Sequence, residues 1–209
     1  MTSARLVLAT HNAHKLGELR AILVPADGSG VPGLSADEVV SAAGLGAPEP
    51  VEDGLTFAAN ALLKARALAR ATGLVAVADD SGLAVDVLGG APGIFSARWA
   101  GRHGDDAANL DLLLAQLSDI APEHRGAQFV CAAAIVTPDG REHVEHGYLR
   151  GTLLTSRRGT GGFGYDPILL PTGSDRSTAE LSPEEKNAIS HRGEAFRALV
   201  PHVAAALAD

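Results

Sequence analysis

Five polar or glycine-rich clusters interrupt an otherwise regular sequence, and each carries groups suited to a phosphorylated ligand. The first is Thr10-His11-Asn12-Ala13-His14-Lys15, between an apolar run and an amphipathic segment. Free N–H groups and the dipole at a helix N-terminus favour phosphate there, and Lys15 adds a full charge. N-capping by Thr10 or Asn12 beside a solvated lysine accounts for the same residues. The glycines of the Rossmann and P-loop fingerprints are absent. The second cluster, Ala78-Asp79-Asp80-Ser81-Gly82, follows an apolar stretch. Adjacent carboxylates at a strand end face different directions, so one can bind a metal while the other holds the loop. Mg²⁺ suits such a site, because it takes one or two carboxylates and leaves its other positions to phosphate and water. A turn whose aspartates cap their own backbone is the alternative.

The third cluster runs from Gly89 to Arg98, where three glycines around Pro92 allow close backbone approach and Arg98 can reach a phosphate. A simple turn fits it equally. In the fourth, Gly159-Thr160-Gly161-Gly162-Phe163-Gly164-Tyr165-Asp166-Pro167, glycines alternate with two aromatic faces, a shelf for a base or an irregular glycine turn. The fifth joins Lys186 to Ser190-His191-Arg192. These are donors for a purine carbonyl, where adenine presents an amino group; the same residues also suit a solvated helix face.

The elements that must position these groups intermix strands and helices. Residues 5–9 read as a strand and 15–23 as a helix, with an irregular connection over 28–46 that has room for one short element. Residues 56–72 are the strongest helix: Phe57, Ala61, Ala65 and Leu68 keep helical spacing, and Gly73 supplies the stop. Residues 74–78 and 83–87 read as two strands separated by the acidic turn. Residues 105–117 form a helix with Leu110, Leu113, Leu114 and Leu117 on one face, and 128–137 and 142–149 form a hairpin about Pro138-Asp139-Gly140. Ser182-Pro183-Glu184-Glu185 opens a helix with a capping box. Gly193 either ends that helix or sits inside a longer one. The expectation is a single α/β domain over residues 1–209 with a mixed sheet.

Composition narrows the function classes. The 209 residues are 46% hydrophobic and 20% charged, an ordinary globular balance, and aromatics are only 4%, so Ala, Val, Leu and Ile must fill the core. The formal net charge of −8 and the lack of a basic aromatic stripe argue against nucleic acid and anionic membranes as partners. A small polyanion remains compatible if a few cations or a metal converge on it. The single Cys131, inside an apolar run, excludes an internal disulfide and a thiolate zinc cluster and reads as core. No apolar stretch is long enough for a signal core or a bilayer span, so the expected location is cytoplasmic.

In order and spacing, the clusters at Thr10–Lys15, Ala78–Val85, Gly89–Arg98 and Gly159–Pro167, with Thr56–Ala65 and Glu185–Gly193, resemble the inosine/xanthosine triphosphate pyrophosphatase family over nearly the whole chain. The resemblance implies Mg²⁺-dependent hydrolysis of ITP, dITP and XTP to the monophosphate and pyrophosphate. It implies an elongated mixed β-sheet flanked by helices, two lobes around a substrate cleft, and a homodimer. Carried over residue by residue, Asp80 is the general base and metal contact, with Ser81 beside it on the substrate. Thr10, His11, Asn12, Ala13, His14 and Lys15 hold the triphosphate, and Asn60 and Lys64, one helical turn apart, complete the phosphate side. Phe163, Gly164, Tyr165 and Asp166 line the base pocket, while Lys186, His191 and Arg192 read the purine. In some relatives a glutamate ahead of the 56–72 helix also meets the metal. Here Val51 takes the best-aligned position, with Glu52 and Asp53 beside it, so Asp80 alone is assigned to the metal. A nucleotide sensor that binds without cleaving is the rival from another class.

Overall fold

The computed structural model describes residues 4–10, 13–25, 27–47 and 50–208, with backbone alone at 13–15 and 18. In chain order the elements are β1 (Leu6–Leu8), α1 (Ala13–Leu23), β2 (Val39–Ser41), α2 (Phe57–Thr72), β3 (Val75–Val85), α3 (Asp106–Gln116), β4 (Gly126–Val136), β5 (Glu142–Leu153), β6 (Leu169–Pro171), α4 (Pro183–Ile189) and α5 (His191–Ala208). The strands form one sheet in the order β2-β1-β3-β4-β5-β6. β1 lies parallel to both β2 and β3, with Leu6 opposite Val39 and Val75, whereas β5 and β6 are antiparallel. The sheet is therefore mixed, as expected.

The chain divides into two compact units, one of residues 1–80, 131–147 and 193–209, the other of 81–130 and 148–192. In the first unit the strand alternation sorts the core into two faces. Leu6, Leu8, Val75, Val77, Cys131, Ala133 and Ile135 pack with Leu19 and Leu23 of α1 and Phe196, Leu199 and Val203 of α5. Val7, Ala76, Ala78, Ala132, Ala134 and Val136 pack with Ala61, Ala65, Leu68 and Ala69 of α2. Small residues on both sides bring α2 close to the sheet. That helix starts where Thr56 Oγ1 accepts from Ala59 N–H and ends at Gly73, which adopts φ 67°. The second unit packs Leu110, Leu113 and Leu117 against Leu83, Val85, Phe129, Leu149 and Leu153. Buried among them, the Arg125 guanidinium donates to the carbonyls of Leu117, Leu153 and Leu154.

One expectation needs correction, and two open readings resolve. The Ala78–Gly82 segment is not a turn: β3 runs unbroken from Val75 to Val85. Gly82 allows a close packing there, since a Cβ on it would lie 2.4 Å from Ser96 Oγ and 2.6 Å from the Gly93 carbonyl. The 28–46 connection holds the short strand β2, flanked by 3-10 turns at 36–38 and 43–45. Gly193 lies inside α5, and the helix break falls instead at Ser190, whose backbone is extended at ψ 144°.

Candidate active site

Period-two alternation along β3 assigns the two aspartates to opposite faces. Asp80 shares its face with Ala76 and Ala78, against which α2 packs, and so meets residues of that helix. The fully buried Asn60 accepts from Gly54 N–H at 2.8 Å and donates its amide N–H to Asp80 Oδ2 at 2.9 Å. The backbone donor fixes the orientation of the Asn60 amide, and the amide in turn fixes the carboxylate. One helical turn on, Lys64 Nζ lies 3.8 Å from Asp80 Oδ1 and 2.6 Å from Glu52 Oε1. Asp79 is buried and adds its field to the same lysine.

Burial pushes the Asp80 carboxyl above the ordinary carboxylate range, against the pull of Lys64 and Asn60, and the fields of Glu52 and Asp79 add to the rise. Burial by itself would lower the Lys64 ammonium. The carboxylates of Asp80, Asp79 and Glu52 outweigh it and hold Lys64 above its usual value. Among the described residues, the carboxylates of Asp80 and Glu52 meet the Lys64 ammonium, with the field of Asp79 reaching it from the other face of β3. This all-oxygen, net-negative donor set fits a hard divalent cation such as Mg²⁺.

Glu52 is the residue that sequence reasoning left unassigned. Its signal was present, an acid just ahead of the α2 cap, but nothing local shows that it reaches Lys64. Thr10 is buried just beyond β1, its N–H donating to the Leu8 carbonyl. His11 and Asn12 lie outside the described residues, and Ala13, His14 and Lys15 are described only as backbone of the first turn of α1.

In the second unit the 159–167 loop is built around Asp166, which is buried and ion-paired with Lys186. Its Oδ2 also accepts from Phe163 N–H at 2.8 Å. Gly162 has φ 71°, and a Cβ there would fall 2.0 Å from that carboxylate, so only glycine lets the loop close. Gly164 N–H is held by Asp106 at 2.9 Å. The two aromatic residues part company. Phe163 is 55% exposed, with Lys186 Nζ 4.8 Å and Arg192 Cζ 6.0 Å from its ring centroid. Tyr165 turns into the core, where its hydroxyl donates to the Ser96 carbonyl at 2.9 Å. Burial raises that phenol well above its usual value, so it stays protonated.

Arg192 is buried near the start of α5 and donates to Ser81 Oγ at 3.2 Å. His191 stacks on Phe129 with centroids 5.1 Å apart. Thus Ser81, Phe163, Asp166, Lys186 and Arg192 are linked by direct contacts. The Gly89–Arg98 cluster has a structural use: Ser96 Oγ accepts from Leu83 N–H at 2.9 Å and donates to the Gly93 carbonyl at 2.7 Å. Arg98 lies over the Phe95 ring at 5.3 Å. Among the described residues no helix is long and apolar enough to cross a membrane.

The chain is similar to known proteins over nearly its whole length. The chain is 68% identical to a dITP/XTP pyrophosphatase of Streptomyces avermitilis, over 95% of this chain and 96% of that one. The structure resembles a HAM1 protein from Coxiella burnetii with a TM-score of 0.85 at 37% identity, covering 96% of this chain and 98% of the other. It also resembles a nucleoside-triphosphatase, or dITP/XTP pyrophosphatase, from Mycobacterium abscessus, with a TM-score of 0.76 at 52% identity, covering 94% and 99% of the two chains. The profile of the Ham1 family matches residues 6–202, and the chain belongs to that family.

Proposed function

We propose that this protein hydrolyses the non-standard purine nucleoside triphosphates dITP, ITP and XTP to the monophosphate and pyrophosphate, using Mg²⁺. The observation that carries the reading is the partly buried Asp80 carboxylate, oriented by Asn60 and flanked by Lys64 and Glu52. Support also comes from relatives named dITP/XTP pyrophosphatase at 68% identity.

Phosphoryl substitution depends on positioning and charge neutralisation more than on covalent help. Asp80 accepts a proton from the attacking water as its oxygen bonds to the α-phosphorus. The bond from that phosphorus to the α–β bridging oxygen breaks, and its electrons leave with pyrophosphate. A base raised above the ordinary carboxylate range is better matched to neutral pH than an ordinary aspartate. Asp80 and Glu52 would hold Mg²⁺, which when bound neutralises phosphate charge and positions the leaving group. Lys64, with Lys15 and the amide groups around Thr10, His11, Asn12, Ala13 and His14, takes the remaining phosphate charge.

The exposed face of Phe163 receives the purine, supported by Gly164 and by the Asp166 and Tyr165 anchors of the loop. Lys186, His191 and Arg192 supply donors to the 6-keto oxygen, and Ser81 meets the substrate beside Asp80. Adenine sets an amino donor against these donors, and a site left with unpaired buried donors rejects such an analogue strongly. The working form is a cytoplasmic homodimer with no nucleic-acid or membrane partner.

Pyrophosphate release measured across ITP, dITP, XTP, ATP and GTP, with and without Mg²⁺, tests the proposal. Asp80→Asn should keep the fold and lose turnover of ITP by about 100-fold or more, the scale of a lost general base. Near-normal turnover in that variant removes Asp80 as base. Equal rates on ATP and ITP would replace the selective enzyme with a general nucleotide pyrophosphatase, and tight ITP binding without pyrophosphate release would make it a sensor.

A further inference from the structure

His143 and Glu145 stand two residues apart on β5, which puts both side chains on one face of the strand. His202 of α5 completes the group. The imidazoles of His143 and His202 stack with centroids 3.4 Å apart and planes 17° apart. Both present Nε2 to the same oxygen: His143 Nε2 lies 2.7 Å and His202 Nε2 3.3 Å from Glu145 Oε1. One ligand atom from each residue lies within 4.8 Å of the others. All three side chains are only 30–39% exposed, and a pocket of about 210 Å³ lined by Thr137, Glu142, His143 and His202 gives access to the two imidazoles.

We propose that His143, Glu145 and His202 form a binding site for a borderline divalent cation of the Zn²⁺ class, clipping α5 to β5. Two imidazoles and a carboxylate are the ligand types Zn²⁺ selects, and three protein ligands leave a fourth position for water. Bonds of roughly 2.0–2.1 Å at tetrahedral angles put ligand atoms roughly 3.3 Å apart. The His202–Glu145 separation of 3.3 Å already meets this value. The His143–Glu145 separation of 2.7 Å suits a shared proton. Replacing that contact by a cation needs it to open by about 0.6 Å, the difference from the tetrahedral spacing, and needs one of the stacked imidazoles to rotate so that both Nε2 lone pairs converge on the ion. The nearby charges do not compete for the site. Arg141 is paired with Asp139 at 3.0 Å and Glu142 with Arg66 at 2.6 Å. The donor set shares no residue with Asp80, Glu52 and Lys64, and its nitrogen ligands discriminate against Mg²⁺.

The test is calorimetric titration of untagged, chelator-stripped protein with Zn²⁺ in excess Mg²⁺, alongside Asp80→Asn, His143→Gln, His202→Gln and the double histidine variant. One Zn²⁺ per chain should bind to the wild type and to Asp80→Asn alike. Each single histidine variant should bind at least about ten-fold more weakly, and the double variant should lose the site. Zn²⁺ should also raise the thermal midpoint of wild type but not of the double variant. Cobalt titrated into wild-type protein should give the visible bands of a tetrahedral nitrogen–oxygen site, a readout that needs no variant. Zinc binding that survives the double substitution overturns the proposal. So does the absence of zinc binding or of tetrahedral cobalt bands in the wild type, which would leave a carboxylate-bridged histidine pair.

Discussion

Replacing Lys64 by Met keeps most of the aliphatic bulk and removes the ammonium that pairs with Asp80 and Glu52. At 3.8 Å from Asp80, a unit charge pair contributes about 4 kcal/mol at an effective dielectric near 20. The lysine and Asp80 side chains are only 12% and 14% exposed, so solvent screens little of this. Part is returned when Asp80 takes up a proton, and a net loss of about 3 kcal/mol is expected, the low end for breaking a buried pair. For a chain of this size that corresponds to a fall in thermal midpoint of roughly 6–12 °C.

The pH dependence fixes the mechanism. Lys64 is held above its usual value, so its contribution is complete below the unfolded lysine pKa and fades only as the pH rises through the folded value. It is therefore fully present in neutral buffer. Asp80 is raised, so its protonated form is favoured in the folded state and its ionisation weighs against folding as the pH rises through that value. Without Lys64 that weight grows. The deficit of the variant should be largest at alkaline pH and shrink on acidification. Mg²⁺, supplying positive charge to the same carboxylates, should narrow it as well. Urea denaturation of both proteins at acid and alkaline pH, with EDTA or Mg²⁺, reads all three effects. A deficit below about 1 kcal/mol, the scale of an exposed ion pair, would refute the reasoning. A deficit indifferent to both pH and Mg²⁺ would also refute it.

Gly82→Ala forces a Cβ to within 2.4 Å of Ser96 Oγ and 2.6 Å of the Gly93 carbonyl. A loss of about 1–3 kcal/mol in urea denaturation is expected, and an unchanged midpoint would show that the loop yields freely. Arg125→Met removes the guanidinium's bonds to the Leu153 and Leu154 carbonyls, both at 2.9 Å, and to the Leu117 carbonyl at 2.6 Å, which keeps the Ile120 N–H as a donor. It should lose at least about 3 kcal/mol by the same measurement. Phe163→Ala removes a mostly exposed ring and should leave the melting curve in place. Its kcat/KM for ITP should fall by about 5- to 100-fold, the stacking contribution of one base, and an unchanged value would take the base away from this face.

Helix α2 was legible because everything that makes it is local: the Thr56 cap, the spacing of Phe57, Ala61, Ala65 and Leu68, and the Gly73 stop. The Lys186–Asp166 ion pair joins the 159–167 loop to α4, two segments that sequence reasoning singled out separately for their residue types. What was misread or left open had distant causes. Phe163 and Tyr165 alternate like shelf residues, but Gly162 and Gly164, at φ 71° and 59°, turn the chain so that one ring stays outside and the other enters the core. Glu52 reaches Lys64 only because the 52–54 segment is tied down by Asn60, a contact no local pattern encodes.

The acidic segment of β3 shows most clearly why local chemistry misleads. Asp-Asp-Ser-Gly is turn-forming by every short-range preference, because such side chains cap their own backbone and glycine weakens a strand. Here those preferences are overridden from outside the segment. Asn60, twenty residues earlier, binds the Asp80 carboxylate, and Ser96, thirteen residues later, binds the Leu83 amide. The same glycine that signals a turn is the residue the Ser96 and Gly93 approach requires. A strand also suits the proposed chemistry better than a turn. It fixes the direction of Asp80 by the pleat and shares the rigidity of the sheet, whereas a loop would let the base move relative to the groups it must work with. The contradiction between local propensity and observed structure thus coincides with the residue assigned as base. Such conflicts are expected where a site imposes its own geometry on the chain.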